Sequence, residues 1–182
     1  SCHRAYSFPI SFSILYNNLN DKRYSAYYPE IEATIQKLIP VSMNEVLQIV
    51  HSKDSANTQR IFNLVKGADI STNNLCEIAE NLLNDSPLIS LKFEALDILN
   101  KNKWTRASNS VLAFFSSSQK DFENNLVTED QFVTLISSLV NISPLDAVTP
   151  LIKYLGELNQ QLEYNNTFTQ NVVLAVINSL GA

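Results

Sequence analysis

Glycine is the scarcest structural resource in this chain: three residues in 182, at Gly67, Gly156 and Gly181. Glycine supplies the positive φ angles that hairpin turns and phosphate-cradling loops depend on. So few of them exclude a phosphate loop and a dinucleotide fingerprint, and argue against a sheet protein of this length. Histidine is nearly as rare, with only His3 and His51. Nucleophilic catalysis normally needs an imidazole base next to the nucleophile. His3 stands close to the chain end, and His51 reads as the last residue of a helix, where a cation complements the macrodipole. Two cysteines, Cys2 and Cys76, are too few for a disulfide framework or a structural zinc site. A single bridge between them stays open, but Cys76 sits within a helical pattern and reads as a buried, inert thiol.

Charge of one sign is also short. Thirteen Lys and Arg face eighteen Asp and Glu, giving a net charge of −5. A surface for nucleic acid needs a basic excess, so nucleic acid is disfavoured as a partner. No apolar run approaches the roughly 18 residues that cross a bilayer, and residues 1–6 lack the pattern of a signal peptide. The chain does not begin with Met, and the segment from Asn171 to Leu180 is still apolar and periodic at the far end. These features predict a piece of a longer protein, with an intracellular setting slightly favoured. The sequon Asn165-Asn166-Thr167 would accept a glycan in a secreted protein. Two others, at Asn84 and Asn141, carry Pro directly after the Ser.

What is present is helix punctuation. Ser42-Met43-Asn44-Glu45 and Thr128-Glu129-Asp130-Gln131 have the form of capping boxes. Behind them Met43, Val46, Leu47 and Val50, and Phe132, Leu135, Ile136 and Leu139, recur at the spacing of one helical face. Ser86-Pro87 and Ser143-Pro144 each read as a cap followed by Pro at the first helical position. Gly67 follows Ile61, Leu64 and Val65 as a C-terminal stop. The pattern predicts eleven helices, near 11–20, 29–39, 43–52, 56–66, 72–84, 87–100, 105–116, 119–126, 129–141, 144–159 and 168–180. Pro150 would kink or split the tenth, because its ring removes a donor and clashes one turn back. No segment alternates apolar and polar residues convincingly enough for a strand.

These helices make the expected fold all-α, with antiparallel helical hairpins stacked as an α-solenoid or an irregular helical bundle. Residues 1–182 read as a single domain: 1–28 as an N-terminal extension with the first helix, and 29–182 as the hairpin array. Pair starts near Pro29, Asn57, Pro87, Gln119 and Pro144 recur about every 25 to 32 residues without repeating residue identities. In this general way residues 29 to 180 resemble armadillo/HEAT-like helical repeats. Phe132-Val133-Thr134-Leu135-Ile136 and Val148-Thr149-Pro150-Leu151-Ile152 look like successive repeat helices, the second with the internal Pro that some such repeats carry. The resemblance implies neighbouring hairpins that share a continuous core and form an extended surface for a partner protein.

No chemistry-bearing motif competes with that expectation. Glu77 and Glu80 lie one turn apart, as do Glu94 and Asp97, but a dicarboxylate metal site needs a histidine partner that is missing. No cofactor is implied and no enzyme is expected. Two clusters combine cations with aromatics: Lys22, Arg23, Tyr24, Tyr27 and Tyr28, and Lys101, Lys103, Trp104 and Arg106. Such clusters serve protein hot spots or stacking platforms for single strands, and the acidic balance favours a protein. The expected function is a non-enzymatic scaffold or adaptor. The alternative is a carrier of lipid or another apolar ligand, suggested by nine Phe and seven Tyr.

Overall fold

The computed structural model describes residues 9–165 and 169–182. Cys2, His3 and the Asn165-Asn166-Thr167 sequon fall outside the described residues or at their edge. The fold is all-α: ten α-helices joined by short turns, with no strand among the described residues. The chain divides into two compact units, residues 1–81 with 85–87 and residues 82–84 with 88–182. The sequence reads this span as a single domain, with 1–28 an N-terminal extension and first helix and 29–182 the hairpin array. No helix among the described residues is long and apolar enough to cross a membrane.

The first unit contains α1 (Pro9–Asn18), α2 (Tyr28–Leu38), α3 (Met43–His51), α4 (Ser55–Lys66) and most of α5 (Thr72–Asp85). Here α1 packs on α2, α3 on α4, and α2 on α4. Phe12, Ile35, Val46, Val50, Ile61 and Phe62 are fully buried. Polar contacts also join its elements. The Tyr16 hydroxyl donates to the Asn57 carbonyl at 3.0 Å, Arg60 donates to Asn20 at 2.7 Å, and His51 Nδ1 meets the Asp85 carboxylate at 2.7 Å. The cap of α4 is Asp54, which accepts from the Asn57 N–H. Ser42 precedes α3 but makes no side-chain cap bond, so the box with Glu45 does not form. A 3₁₀ turn at Ile39–Val41 runs straight into Ser42 and buries its side chain instead. Gly67 does end α4, with φ at −95°, outside the left-handed region. A Cβ there would meet the tip of the Gln36 side chain, which would have to swing aside.

The second unit contains α6 (Ile89–Lys101), α7 (Ser108–Glu123), α8 (Glu129–Ile142), α9 (Val148–Asn165) and α10 (Gln170–Leu180). Helix α8 is central, packing on α6, α7 and α10, and α10 also packs on α9. The predicted box opens α8: Thr128 accepts from the Gln131 N–H at 3.2 Å, and Gln131 accepts from the Thr128 N–H at 3.0 Å. Four aromatics tie α7, α8 and α9 together. Phe115 and Phe122 stack on Phe132, with centroids 5.9 and 4.8 Å away, and Tyr154 sets its ring edge-on to Phe115 and Phe132 at 5.6 Å. Each such pair contributes roughly 0.5–1.5 kcal/mol beyond its buried area.

Helix boundaries in this unit differ from expectation at α6, at α7 and at both ends of α9, which runs on to Asn165 instead of stopping at 159. The segments expected at 105–116 and 119–126 are one helix, α7, preceded by a 3₁₀ turn. The run Ser116-Ser117-Ser118 does not break it, because Ser116 and Ser117 donate their hydroxyls back to the carbonyls of Leu112 and Phe114. Residues 144–147 form a turn, and α9 starts only at Val148. Pro150 therefore occupies the first helical turn, where its missing N–H has no helical partner to lose, and it neither kinks nor splits the helix. Likewise α6 starts at Ile89, two residues beyond Pro87, with no side-chain cap.

Left-handed backbone occurs at non-glycine residues: Lys53, Lys103 and Asn125 have φ of 57°, 47° and 59°. Each lies two residues past the end of α3, α6 or α7. With glycine so scarce, these helices close over residues that carry a Cβ.

Candidate functional site

The first cation–aromatic cluster lies in the first unit, on a single 3₁₀ turn, Lys22–Tyr27, that leads into α2. Asp21 caps this turn by accepting from the Arg23 N–H at 3.0 Å. The same carboxylate also receives the Arg23 guanidinium, with Nε 3.0 and 2.9 Å from its two oxygens. Hydrogen bonds from Arg23 hold the Asp21 carboxyl below its ordinary value. The hydroxyl of Tyr28 donates to the Asp21 carbonyl and pins the turn to α2. Arg23 is thus committed within the turn, whereas Lys22, Tyr24 and Tyr27 face solvent. The cluster brings its five residues together as the sequence placed them.

The second cluster is in the second unit, at the link between α6 and α7. Lys103 takes the left-handed position after α6, donating its N–H to Asn100, and Trp104 donates its own to Leu99 at 3.0 Å. That pair of bonds is a Schellman closure. Lys101 is paired with Asp97 one turn back at 2.8 Å. Arg106 lies over the Trp104 ring, 5.1 Å from its centroid, a cation–π contact. Trp104 is half-buried, and Lys101, Lys103 and Arg106 are exposed. The link is a rigid helix stop displaying an indole and cations. The two clusters belong to different units.

Sequence reasoning missed a different feature of the second unit. Helix α9 buries Leu151, Tyr154 and Leu158 on one face, yet Val148, Ile152 and Leu162 on a second stripe are exposed, with Leu155 half-buried between them. Ile152 is 57% exposed, and Leu145, in the preceding turn, 87%. Helix α10 repeats the pattern. Val172, Ala175 and Val176 are buried, Leu174 and Ile177 are 45% and 49% exposed, and the helix contains no charged residue. The signal was present: 145, 148, 152, 155 and 162 follow a helical period offset from that of 151, 154 and 158. Reading it required knowing which stripe was already covered.

The described cavities are open and lined mainly by polar side chains. One of about 290 Å³, between α1 and α3, contains Tyr16, Asn17, Asn20, Glu45, Gln48 and Asn57. Another of about 490 Å³, along α2 and α4, includes Glu32, Gln36, Gln59, Arg60 and Asn63. A third, of about 330 Å³ in the second unit, lies beside Ser116, Gln119, Thr149, Lys153 and Tyr154.

Groups with reactive potential are otherwise occupied. Cys76 is buried, and burial raises its thiol pKa. Ser108 shares its hydroxyl with Ser143 and donates to Asp146 at 3.1 Å, a link between α7 and the turn before α9 with no imidazole in it. Asn84 and Asn141, the Asn residues of the two Pro-flanked sequons, donate their side-chain amides to Ser110 and Asn100. Among the described residues no group of three or more His, Cys, Asp or Glu is placed to hold a metal ion. No protein-family model matches the chain, and neither the curated proteins nor the solved structures contain a match to it.

Proposed function

We propose that the chain is a non-enzymatic protein-interaction module, a scaffold or adaptor, whose partner lays an amphipathic helix against the second apolar stripe of α9 and α10. The observation that carries this reading is the exposure of Val148, Ile152, Leu174 and Ile177 on helices that already bury another face. Apolar side chains aligned on a surface mark places that another macromolecule covers. A helix presenting apolar residues at i, i+3, i+4 and i+7 is the complement to such a stripe. Packing of α8 on α6, α7 and α10 supports a stacked-helix arrangement of the armadillo/HEAT-like kind within this unit. On this reading the Trp104–Arg106 link and the Lys22–Tyr28 turn are secondary contacts, each offering an aromatic and a free cation. The lipid-carrier reading draws no comparable support from the described cavities, which are open and polar.

The test places a photo-crosslinking residue at Ile152 or Ile177 and, as a control, at Gln160 on the polar side of α9. One protein should be captured from the first two positions and not from the third. Ile152→Glu or Ile177→Glu should abolish capture while leaving the thermal unfolding of the chain unchanged, because both side chains are exposed. Equal capture from Gln160, or capture indifferent to these substitutions, would overturn the reading.

A further inference from the structure

The cavity between α1 and α3 combines three features that converge on one ligand chemistry. Its most buried wall is Tyr16, whose ring stacks on Phe12 at 6.1 Å and whose hydroxyl is held by the Asn57 carbonyl. Its rim carries Asn17, Asn20, Gln48 and Asn57, whose amides have a carbonyl acceptor as well as a donor, that of Asn20 already accepting from Arg60. Its charge is Glu45, half-buried in the first turn of α3, whose carboxylate makes no hydrogen bond or ion pair with the described residues. Three other acids of this unit are partnered: Asp21 with Arg23, Asp54 with the Asn57 N–H, and Asp85 with His51. At the Tyr16 end, Arg60 and Asp54 act on the phenol with opposite sign, and Arg60 is already bonded to Asn20. Glu45 is the charged residue among those that line the groove.

We propose that this groove is a socket for one cationic side chain, arginine or lysine, of a bound protein segment. The cation would meet the Glu45 carboxylate and the amide carbonyls, while its methylene stem lies along Ile49 and the Tyr16 ring. A volume of about 290 Å³ lies at the bottom of the roughly 300–1,000 Å³ range of small-molecule sites, which suits a single side chain. The net charge of −5 favours approach of a basic segment. The proposal rests on the reading of the chain as a protein-binding module, but it concerns the first unit alone.

Titration of the whole ¹⁵N-labelled chain with Nα-acetylarginine amide, followed by amide shifts, tests it. Saturating shifts in the millimolar range should be confined to α1, α3 and the start of α4. Glu45→Gln should weaken binding about tenfold or more, the loss expected of a charge-assisted hydrogen bond, and Glu45→Asp should retain most of it. Nα-acetylnorleucine amide, of similar length but uncharged, should give no saturating shift. If Glu45→Gln perturbs folding, weakening of the wild-type interaction by 0.5 M salt serves in its place. Shifts that fail to saturate, that appear equally with norleucine amide, or that are indifferent to both Glu45→Gln and salt would overturn the socket. Because the probe needs no partner, its failure is distinguishable from failure of the α9–α10 surface, which the crosslinks at Ile152 and Ile177 read independently.

Discussion

Trp104 donates its main-chain N–H to the carbonyl of Leu99 across 3.0 Å, and together with the Lys103 N–H on Asn100 this closes α6. The closure holds Lys103 at φ 47°, where a Cβ crowds the carbonyl that follows. Replacing Lys103 by Gly relieves that crowding while keeping both Schellman bonds. The expected outcome is a gain of about 1 kcal/mol, read as a melting temperature higher by roughly 2–4 °C. Asn125→Gly should gain less, because Asn tolerates the left-handed region better. A lower melting temperature for Lys103→Gly would show that the closure depends on the lysine.

Two capping boxes are written in the sequence and one is made. Thr128→Ala removes a side-chain acceptor that is in use and should destabilise the second unit by about 1 kcal/mol in urea unfolding. Ser42→Ala removes a hydroxyl that caps nothing, so it should show no loss of that origin. Equal costs at the two positions would contradict the observed geometry.

Ser118 and Thr58 bury hydroxyls without a hydrogen-bond partner. An unpaired buried hydroxyl costs roughly 1–3 kcal/mol. Ser118→Ala, in a helix interior where Ala is favoured, should therefore raise the unfolding free energy by about 1 kcal/mol. Denaturant titration gives the sign directly, and destabilisation would indicate a partner for the hydroxyl.

Burial pushes the Tyr16 phenol up to about 12 from its ordinary value of 10.0, and burial raises Tyr154 as well. A raised folded value means that the folded chain keeps its proton where the unfolded chain loses it. The associated stability is fully present below pH 10 and is lost as pH rises through about 12. Tyr16→Phe should remove part of that alkaline loss and also the bond to Asn57, at a cost of about 1 kcal/mol near neutrality. Urea unfolding at pH 8 and at pH 10.5 separates the two effects.

Asp21 works in the opposite sense. Its folded value lies below the ordinary 3.8 because Arg23 donates to its ionised form. The contribution is present above that ordinary value and lost as pH falls through the lower folded one. The Arg23 amide and Nε–H signals should therefore move together in acid, and Asp21→Asn should abolish that step. A step that persists in Asp21→Asn would assign it to another carboxylate.

Much of the architecture was legible because helix formation is local. The 3.6-residue recurrence of Val46 and Val50, or of Leu135, Ile136 and Leu139, needs only the chain's own geometry, and so does the Thr128–Gln131 box. Both cation–aromatic clusters were legible for the same reason, being contiguous in the chain. Errors gathered where a local signal had two outcomes. Three consecutive serines can end a helix or be carried within it, and in α7 Ser116 and Ser117 bond back to the helix while Ser118 is buried in its interior. Pro150 can break a helix or sit in its first turn, and the turn at residues 144–147 decides for the latter.

By itself, then, the sequence determined the all-α class, most helix positions and the lack of glycine-built turns, because each follows from interactions within a few residues. Only the tertiary structure decided which apolar stripes are covered and which, on α9 and α10, are not. It alone revealed that Glu45 faces a groove of amides beside Tyr16. Burial and pairing depend on residues far apart in the chain, such as Tyr16 and Asn57, and no local periodicity encodes which of them meet.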